Sequence, residues 1–309
     1  MQGMGTKYII NVPVASIWTN PESVRDIDSQ AISNPVFLEE WLDEMTYDYR
    51  LALCDQNLLQ TQALIGEEVD VIHEIDGWSE IILLGQPTKK HPRGYPGWIP
   101  SIQLTEVSEW NLDDMVAVVT SKQTVIYLED ETEMMKVSYQ TVLPILEEKQ
   151  DEIVVQLPVG TGILKASDVE ILSSLTKRPM GLGQQIINSG ERFLGLPYLW
   201  GGTSSYGYDC SGFTFSMCKA NGYVIPRDAD DQFTQGLQVN LKHIEPGDLL
   251  FFAYEEGKGT LHHVGLYYGD GKLLHSPNTG RSIEIIDLAG TIYEKELCGA
   301  CRYWTGTEE

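Results

Sequence analysis

His262-His-Val-Gly-Leu-Tyr-Tyr-Gly-Asp-Gly-Lys-Leu-Leu-His-Ser276 reads as two short apolar strands around a Gly-Asp-Gly turn. Strand-length apolar runs separated by such a turn form a hairpin. Its register decides which side chains share a face, because side chains alternate sides along a strand. A two-residue Asp270-Gly271 loop puts His263 and His275 on opposite faces. A three-residue Gly269–Gly271 loop pairs Leu266 with Leu274 and puts both imidazoles on one face, diagonally adjacent. The three-residue loop is the expectation, with Gly271 in the left-handed position such a loop prefers.

Further strands flank this hairpin. Asp248-Leu-Leu-Phe-Phe-Ala-Tyr254 precedes it, and Ser282-Ile-Glu-Ile-Ile286 and Cys298 to Trp304 follow it. Two helices come before them. Gly183 to Leu194 is apolar at 186, 187, 193 and 194 and is stopped by Gly195 and Pro197; Ser211 to Ala220 is closed by Asn221-Gly222. Helices followed by an antiparallel sheet make an α+β domain.

The preceding two-thirds of the chain has another texture. Val12 to Trp18, Gln62 to Ile72, Trp78 to Leu84 and Gly94-Tyr-Pro-Gly-Trp-Ile-Pro100 are short strands, with a tight turn at Asp76-Gly77. Glu39 to Tyr49 has helical spacing, with Trp41, Leu42, Met45 and Tyr49 on one side. The pattern then recurs in Met115 to Thr120, Gln123 to Tyr127, Thr141 to Leu146, Glu152 to Leu157 and Gly162 to Val169. Short strands at this turn density imply two small all-β barrels. The polar link Ser173-Ser-Leu-Thr-Lys-Arg-Pro179 marks a boundary. The expected organisation is multidomain: residues 1–107, a barrel with a helical insertion; 108–177, a second barrel; and 178–309, the α+β domain.

The 309 residues carry 45 acidic and 21 basic side chains, a formal charge of −24. Such a field repels phosphate backbones and anionic lipid headgroups, so nucleic-acid and membrane partners are not expected. No apolar run approaches the roughly 20 residues of a spanning helix. The first residues lack the apolar stretch of a signal peptide. The expectation is a cytoplasmic protein; a chain already stripped of a leader reads the same, so an extracytoplasmic location is the alternative. Five scattered cysteines are not a disulfide framework. Cys298-Gly-Ala-Cys301 has metal-like spacing but lacks a second ligand pair and reads as strand; Cys54 and Cys218 read as small buried apolar residues.

A thiol nucleophile needs a setting that favours the thiolate, an imidazole nearby, and a group that orients the imidazole. Cys210 follows Asp209, a good helix cap, and opens the predicted second helix. There it faces the positive end of the helix dipole, and unpaired N–H groups are at hand for an oxyanion. His263 is the candidate base and His275 the group that holds it through a ring nitrogen. Taken singly, each has a plainer reading as a buried or hydrogen-bonded residue. His262 points the other way on its strand and has no assigned role. Cys210 with two histidines lacks a fourth ligand of convincing spacing, so neither a metal nor a cofactor is expected.

Residues 183–303 resemble the NlpC/p60 family of papain-like cell-wall cysteine peptidases. The matching stretches are Gly195-Leu-Pro-Tyr-Leu-Trp-Gly-Gly202, Asp209-Cys-Ser-Gly-Phe213, Pro226-Arg-Asp-Ala-Asp-Asp-Gln232, Pro246-Gly-Asp-Leu-Leu-Phe-Phe252, His263-Val-Gly-Leu-Tyr267 and Leu274-His-Ser276, in family order. The two barrels resemble the bacterial SH3-type module. The resemblance implies Cys210 as nucleophile, His263 as base and His275 as third polar residue. It also implies Tyr198 beside the nucleophile as an oxyanion donor, with Asp209 and Ser211 flanking the thiol.

The whole layout is similar to the family's γ-D-glutamyl-diamino-acid dipeptidyl-peptidases, which release L-Ala-γ-D-Glu from murein peptides with a free N-terminal L-Ala. That similarity implies Asp228 and Tyr95 at the substrate amine, together with a glutamate of the first barrel. Glu67 is the choice for that glutamate; Gln60 and Gln62 are alternatives for its place. Ala229 stands where the group often has serine, which removes one side-chain hydrogen bond to substrate. A buried ammonium needs carboxylate partners, so blocking the amine would leave them unpaired. The expected function is therefore hydrolysis of the γ-D-Glu–diamino acid bond of free murein peptides, in cell-wall peptide recycling. The alternatives are a secreted D,L-endopeptidase that trims polymeric wall, a non-catalytic binder of wall peptides, and acyl transfer by the same triad.

Overall fold

A computed structural model describes residues 7–305. The chain divides into two compact units. One holds residues up to Gly85, Arg93–Arg178 and Ser204–Tyr206; the other holds Gln86–Pro92, Pro179–Thr203 and residues from Gly207 onward.

The first unit contains two SH3-like barrels, each a seven-stranded antiparallel sheet. In the first, chain order runs Lys7–Ile10, Val14–Trp18, Leu59–Leu64, Glu68–Ile75, Trp78–Leu83, Tyr95–Pro100 and Leu104–Val107. In the second it runs Val116–Val119, Gln123–Tyr127, Glu133–Ser138, Val142–Glu148, Glu152–Gln156, Thr161–Lys165 and Val169–Leu172. Counted within each barrel, the spatial order is the same, 3-2-6-5-4-1-7. The recurrence in the sequence is thus a recurrence of topology. Glu133–Ser138 and Val169–Leu172 were not among the expected strands. Glu133, Met134 and Lys136 are exposed, so the first of these carries little of the apolar alternation that marks a strand.

Asp76 and Gly77 both have positive φ, 49° and 81°, and close the expected hairpin. The single helix expected over Glu39 to Tyr49 is instead two, Leu38–Glu44 and Tyr47–Asp55. Met45 takes an extended ψ of 115°, and the Thr46 hydroxyl accepts from the Tyr49 N–H and starts the second helix. The cap outweighs the apolar spacing: Trp41 is fully buried while Tyr49 is 45% exposed. Tyr95 is buried in the first barrel's core with Ile10, Val12, Ile17 and Ile99.

The second unit is α+β. Its sheet has six strands in the order Leu237–Val239, Leu297–Arg302, Leu249–Ala253, Leu261–Gly269, Lys272–His275 and Glu284–Asp287. All neighbours are antiparallel. The helix Cys210–Ala220 packs on the central strand Leu261–Gly269 and is buried along nearly its whole length, from Ser211 to Cys218. Gly212 permits its entry: a Cβ there would lie 2.0 Å from the Gly202 carbonyl oxygen. Cys298 and Cys301 are strand residues, as expected. Cys218 is buried and Cys54 partly so. Among the described residues no helix is long and apolar enough to cross a membrane.

Candidate active site

Cys210 is the first residue of its helix, and Asp209 is the N-cap, accepting the Gly212 N–H at 2.6 Å. The residue as a whole is partly exposed, but its thiol is buried and draws on the N–H groups of Val264 and Ser211. Val264 follows His263, so the strand that carries the imidazole runs against the thiol.

The hairpin places the two imidazoles on one face, but not through the expected loop. Leu266 pairs with Leu274 and Tyr267 with Leu273, the anticipated parity. Beyond them, however, Gly269 pairs with Lys272, so the turn is a two-residue Asp270-Gly271 loop, with φ of 50° and 72°. A β-bulge between Tyr267 and Gly269 inserts one residue and restores the parity. Turn type was misread because the extra residue sits in the strand rather than in the loop.

His263 Nε2 lies 2.7 Å from His275 Nδ1, and both rings are buried. Gly265 makes room for this pair, since a Cβ there would come 2.8 Å from the His275 Cβ. The Tyr293 ring packs on both, with centroids 5.2 Å from His263 and 5.0 Å from His275. Phe252 covers His263 from another side at 5.7 Å. His262 faces elsewhere: it stacks on Tyr254 at 4.1 Å and bonds Glu296 at 3.0 Å.

Electrostatics keep this cluster neutral at rest. Burial, reinforced by Asp209, pushes the Cys210 thiol up to about 12 against the pull of the Val264 and Ser211 N–H groups and of Arg227. Burial also holds His263 well below its ordinary 6.5, helped by His275 and His262. His275 is lowered to about 3 by burial and by Arg281. The helix start thus favours the thiolate as expected, but removal from water outweighs it. These shifts leave a neutral thiol and a neutral imidazole at rest. The acid limb of kcat/KM is therefore expected below pH 6.5, where His263 protonates. Activity should hold on the alkaline side to about pH 9, because no resting imidazolium is there to be lost. A pH profile checks both; a fall between neutral pH and about pH 9 would indicate a thiolate–imidazolium pair instead.

Asp209 does more than cap. Its carboxylate also accepts the Gly201 N–H at 2.9 Å and the Ser211 hydroxyl at 3.3 Å. Arg227 donates to both of its oxygens, at 3.1 and 2.6 Å, and to the Ser211 Oγ at 2.9 Å. This ion pair is almost fully buried. Tyr198 is buried; its N–H donates to the Arg281 carbonyl, and its backbone bridges to Tyr208.

Asp228 caps the helix Ala229–Gln235 by position, and its carboxylate pairs with Lys90 at 3.0 Å. It clusters with Asp230 and Asp231, one oxygen of each lying within 4.8 Å of the others. Ala229, beside it, is partly exposed.

Tyr95 and Glu67 belong to the first unit. There Tyr95 sits opposite Leu83, and Glu67 accepts the Leu64 N–H at 3.1 Å. Gln60 bonds Thr19 and Asn57, and Gln62 accepts the Ser204 hydroxyl.

Arg227, against Asp209, and Tyr293, against both imidazoles, are residues that sequence reading passed over. Arg227 lay within a quoted motif, and its burial was not legible. Tyr293 comes from the short helix Ile292–Glu296, which carries no pattern that would mark it.

Residues 195–302 match the NlpC/P60 family model, and residues 119–171 match the model described as the YKFC SH3b2 domain. The chain is 47% identical, over 94% of its length and 96% of the relative's, to a Bacillus subtilis protein named Gamma-D-glutamyl-L-lysine dipeptidyl-peptidase. The chain belongs to the NlpC/P60 family. A Bacillus cereus protein of the same name is 42% identical over 96% of this chain and 91% of its own. A crystal structure of a NlpC/P60 family protein from Bacillus cereus superposes with a TM-score of 0.94 at 42% identity. It covers 97% of this chain and 100% of its own. These matches run across both barrels as well as the NlpC/P60 domain.

Proposed function

We propose that this protein is a cysteine peptidase that hydrolyses the bond between γ-D-glutamate and a diamino acid in murein peptides, releasing L-Ala-γ-D-Glu. The observation that carries the reading is the 2.7 Å contact of His263, on the strand whose Val264 N–H meets the Cys210 sulfur, with His275 on the next strand. The names of the two Bacillus relatives, matched over more than nine-tenths of this chain, support the choice of bond.

In this reading Cys210 Sγ attacks the γ-carbonyl carbon while His263 takes the thiol proton. The resulting oxyanion is held by N–H groups at the helix start and by the Tyr198 hydroxyl. Collapse expels the diamino acid's amine, which receives the proton from His263, and leaves a thioester on Cys210. His263 then draws a proton from water, whose oxygen attacks the thioester; the C–S bond breaks, freeing L-Ala-γ-D-Glu, and His263 returns the proton to the Cys210 sulfur. Asp209 and Ser211 act on substrate through the shape they impose on the first turn. Asp228, in its cluster of carboxylates, receives the free ammonium of L-Ala, and Ala229 beside it leaves the D-glutamate without a hydroxyl partner. A peptide with a blocked amine would bring Asp228 no charge to set beside that of Lys90.

The reading places the enzyme in the cytoplasm, recycling wall peptides after their release. The charge of −24 supports this, since it disfavours binding to anionic wall polymers. Mass spectrometry of products from L-Ala-γ-D-Glu-L-Lys, its diaminopimelate counterpart and their N-acetylated forms tests the proposal. Release of L-Ala-γ-D-Glu from the free peptides alone is expected. Equal cleavage of the acetylated forms would remove the amine gate and the recycling role, and favour an endopeptidase. No cleavage of any would favour a binder.

A further inference from the structure

Behind the imidazole pair stands a carboxylate with no part in the steps above. Glu284 is the direct cross-strand partner of His275. Its Oε1 lies 3.5 Å from His275 Nε2, a nitrogen that is buried and has no hydrogen-bond partner. The Arg281 guanidinium grips the same carboxylate, 2.6 Å from Oε1 and 2.8 Å from Oε2. Arg281 is itself fixed through its backbone, its carbonyl accepting the Tyr198 N–H and its own N–H donating to the Asn278 carbonyl.

Two neutral imidazoles joined by one hydrogen bond have two arrangements. In one, His263 Nε2–H donates to His275 Nδ1; the His263 Nδ1 lone pair is free for the thiol, and the His275 proton sits on Nε2. In the other, His275 Nδ1–H donates to His263 Nε2; His263 Nδ1 then carries a proton and cannot act as base, and His275 Nε2 presents a lone pair. Only the first is competent, and nothing within the pair selects it. A carboxylate beside His275 Nε2 does: it attracts an N–H there and repels a lone pair.

We propose that Glu284, clamped by Arg281, is a positioning residue that sets the tautomer of His275 and, through it, leaves His263 free to accept the Cys210 proton. The inference rests on the reading of Cys210 and His263 as nucleophile and base. When His263 becomes cationic, the fixed carboxylate stabilises it across the intervening ring. Arg281 holds the Glu284 carboxylate in place, and burial together with the Arg281 charge keeps His275 itself from protonating.

The test combines kinetics with nitrogen-15 NMR of the imidazoles in the substrate-free protein. In the wild type, His275 is expected to carry its proton on Nε2. Glu284→Met keeps the length but removes the acceptor. It should populate both tautomers and lower kcat about tenfold or more with KM within about twofold. Glu284→Gln keeps an acceptor oxygen without the charge, and should lose only about threefold. If the Met variant fails to fold, the Gln variant carries the test. A wild-type proton on His275 Nδ1 would overturn the proposal, as would variants with unchanged tautomer and kcat. The NMR result needs no substrate. A wild type with the expected tautomer that cleaves no murein peptide would therefore sink the proposed reaction and leave the tautomer assignment standing.

Discussion

Cys210→Ala is expected to lower kcat for release of L-Ala-γ-D-Glu by about four to six orders of magnitude, with KM little changed. Removing the sulfur removes the atom on which the proposed acyl intermediate forms. The size of the loss follows from the neutral resting pair: without a thiol, His263 has no proton to take and at best activates a water. The fold should tolerate the change. Alanine is a good helix former, and the contacts that hold the turn come from Asp209, Gly212 and Arg227 rather than from the thiol. His263→Ala should cost about two to four orders of magnitude, because the thiol, pushed up to about 12, would attack without a base. Combining both substitutions should add almost nothing to the effect of Cys210→Ala. Single-turnover kinetics with the three variants checks this. A residual rate in Cys210→Ala within about a hundredfold of wild type would place the nucleophile elsewhere.

Arg227→Met is expected to destabilise the second unit by about 3–5 kcal/mol. The guanidinium and the Asp209 carboxylate are 1% and 8% exposed, so the variant strands a buried negative charge. The remaining donors, the Gly201 and Gly212 N–H groups and the Ser211 hydroxyl, soften the loss without neutralising the charge. Asp209→Ala should cost a similar amount by stranding the guanidinium and the cap together. The double variant Arg227→Met/Asp209→Ala should lose well under the sum of the two single losses, because it leaves no unpaired ion. Urea unfolding followed by tryptophan fluorescence measures this. A loss below about 1 kcal/mol for Arg227→Met would mean that water reaches the pair. Activity should fall as well, since the same carboxylate shapes the turn that presents Cys210.

How much of this was visible in the sequence depended on how local the deciding interaction is. The Cys210 helix was legible because Asp209 caps it three residues from Gly212. The barrel repeat was legible because turn residues punctuate it. Pairing parity in the His263–His275 hairpin came out right although the loop did not: a bulge in the strand and an extra loop residue have the same effect on alternation. The misread helix over Glu39 to Tyr49 failed because one cap at Thr46 overrode an apolar stripe. Arg227, Glu284 and Tyr293 were out of reach for a different reason. Arg227 meets Asp209 across 18 positions, and Glu284 meets His275 across an irregular connection whose length sets the register. Neither separation leaves a periodic trace.

The segment Gln86–Pro92 bears on how the protein is made and how it can be cut. It is encoded between two strands of the first barrel, yet belongs to the unit that carries Cys210. Its Pro87 carbonyl accepts the Arg227 N–H, its Lys89 N–H and Thr88 hydroxyl reach Asp231, and its Lys90 pairs with Asp228. A ribosome releases this strip well before the residues it serves, so it must wait until Arg227 to Asp231 have been made. A gene fragment beginning at the Ser173–Pro179 link would yield a peptidase lacking part of its own floor. Shuffling this domain onto other carriers by simple cutting would therefore fail at the loop around Asp228, which Lys90 and its neighbours hold.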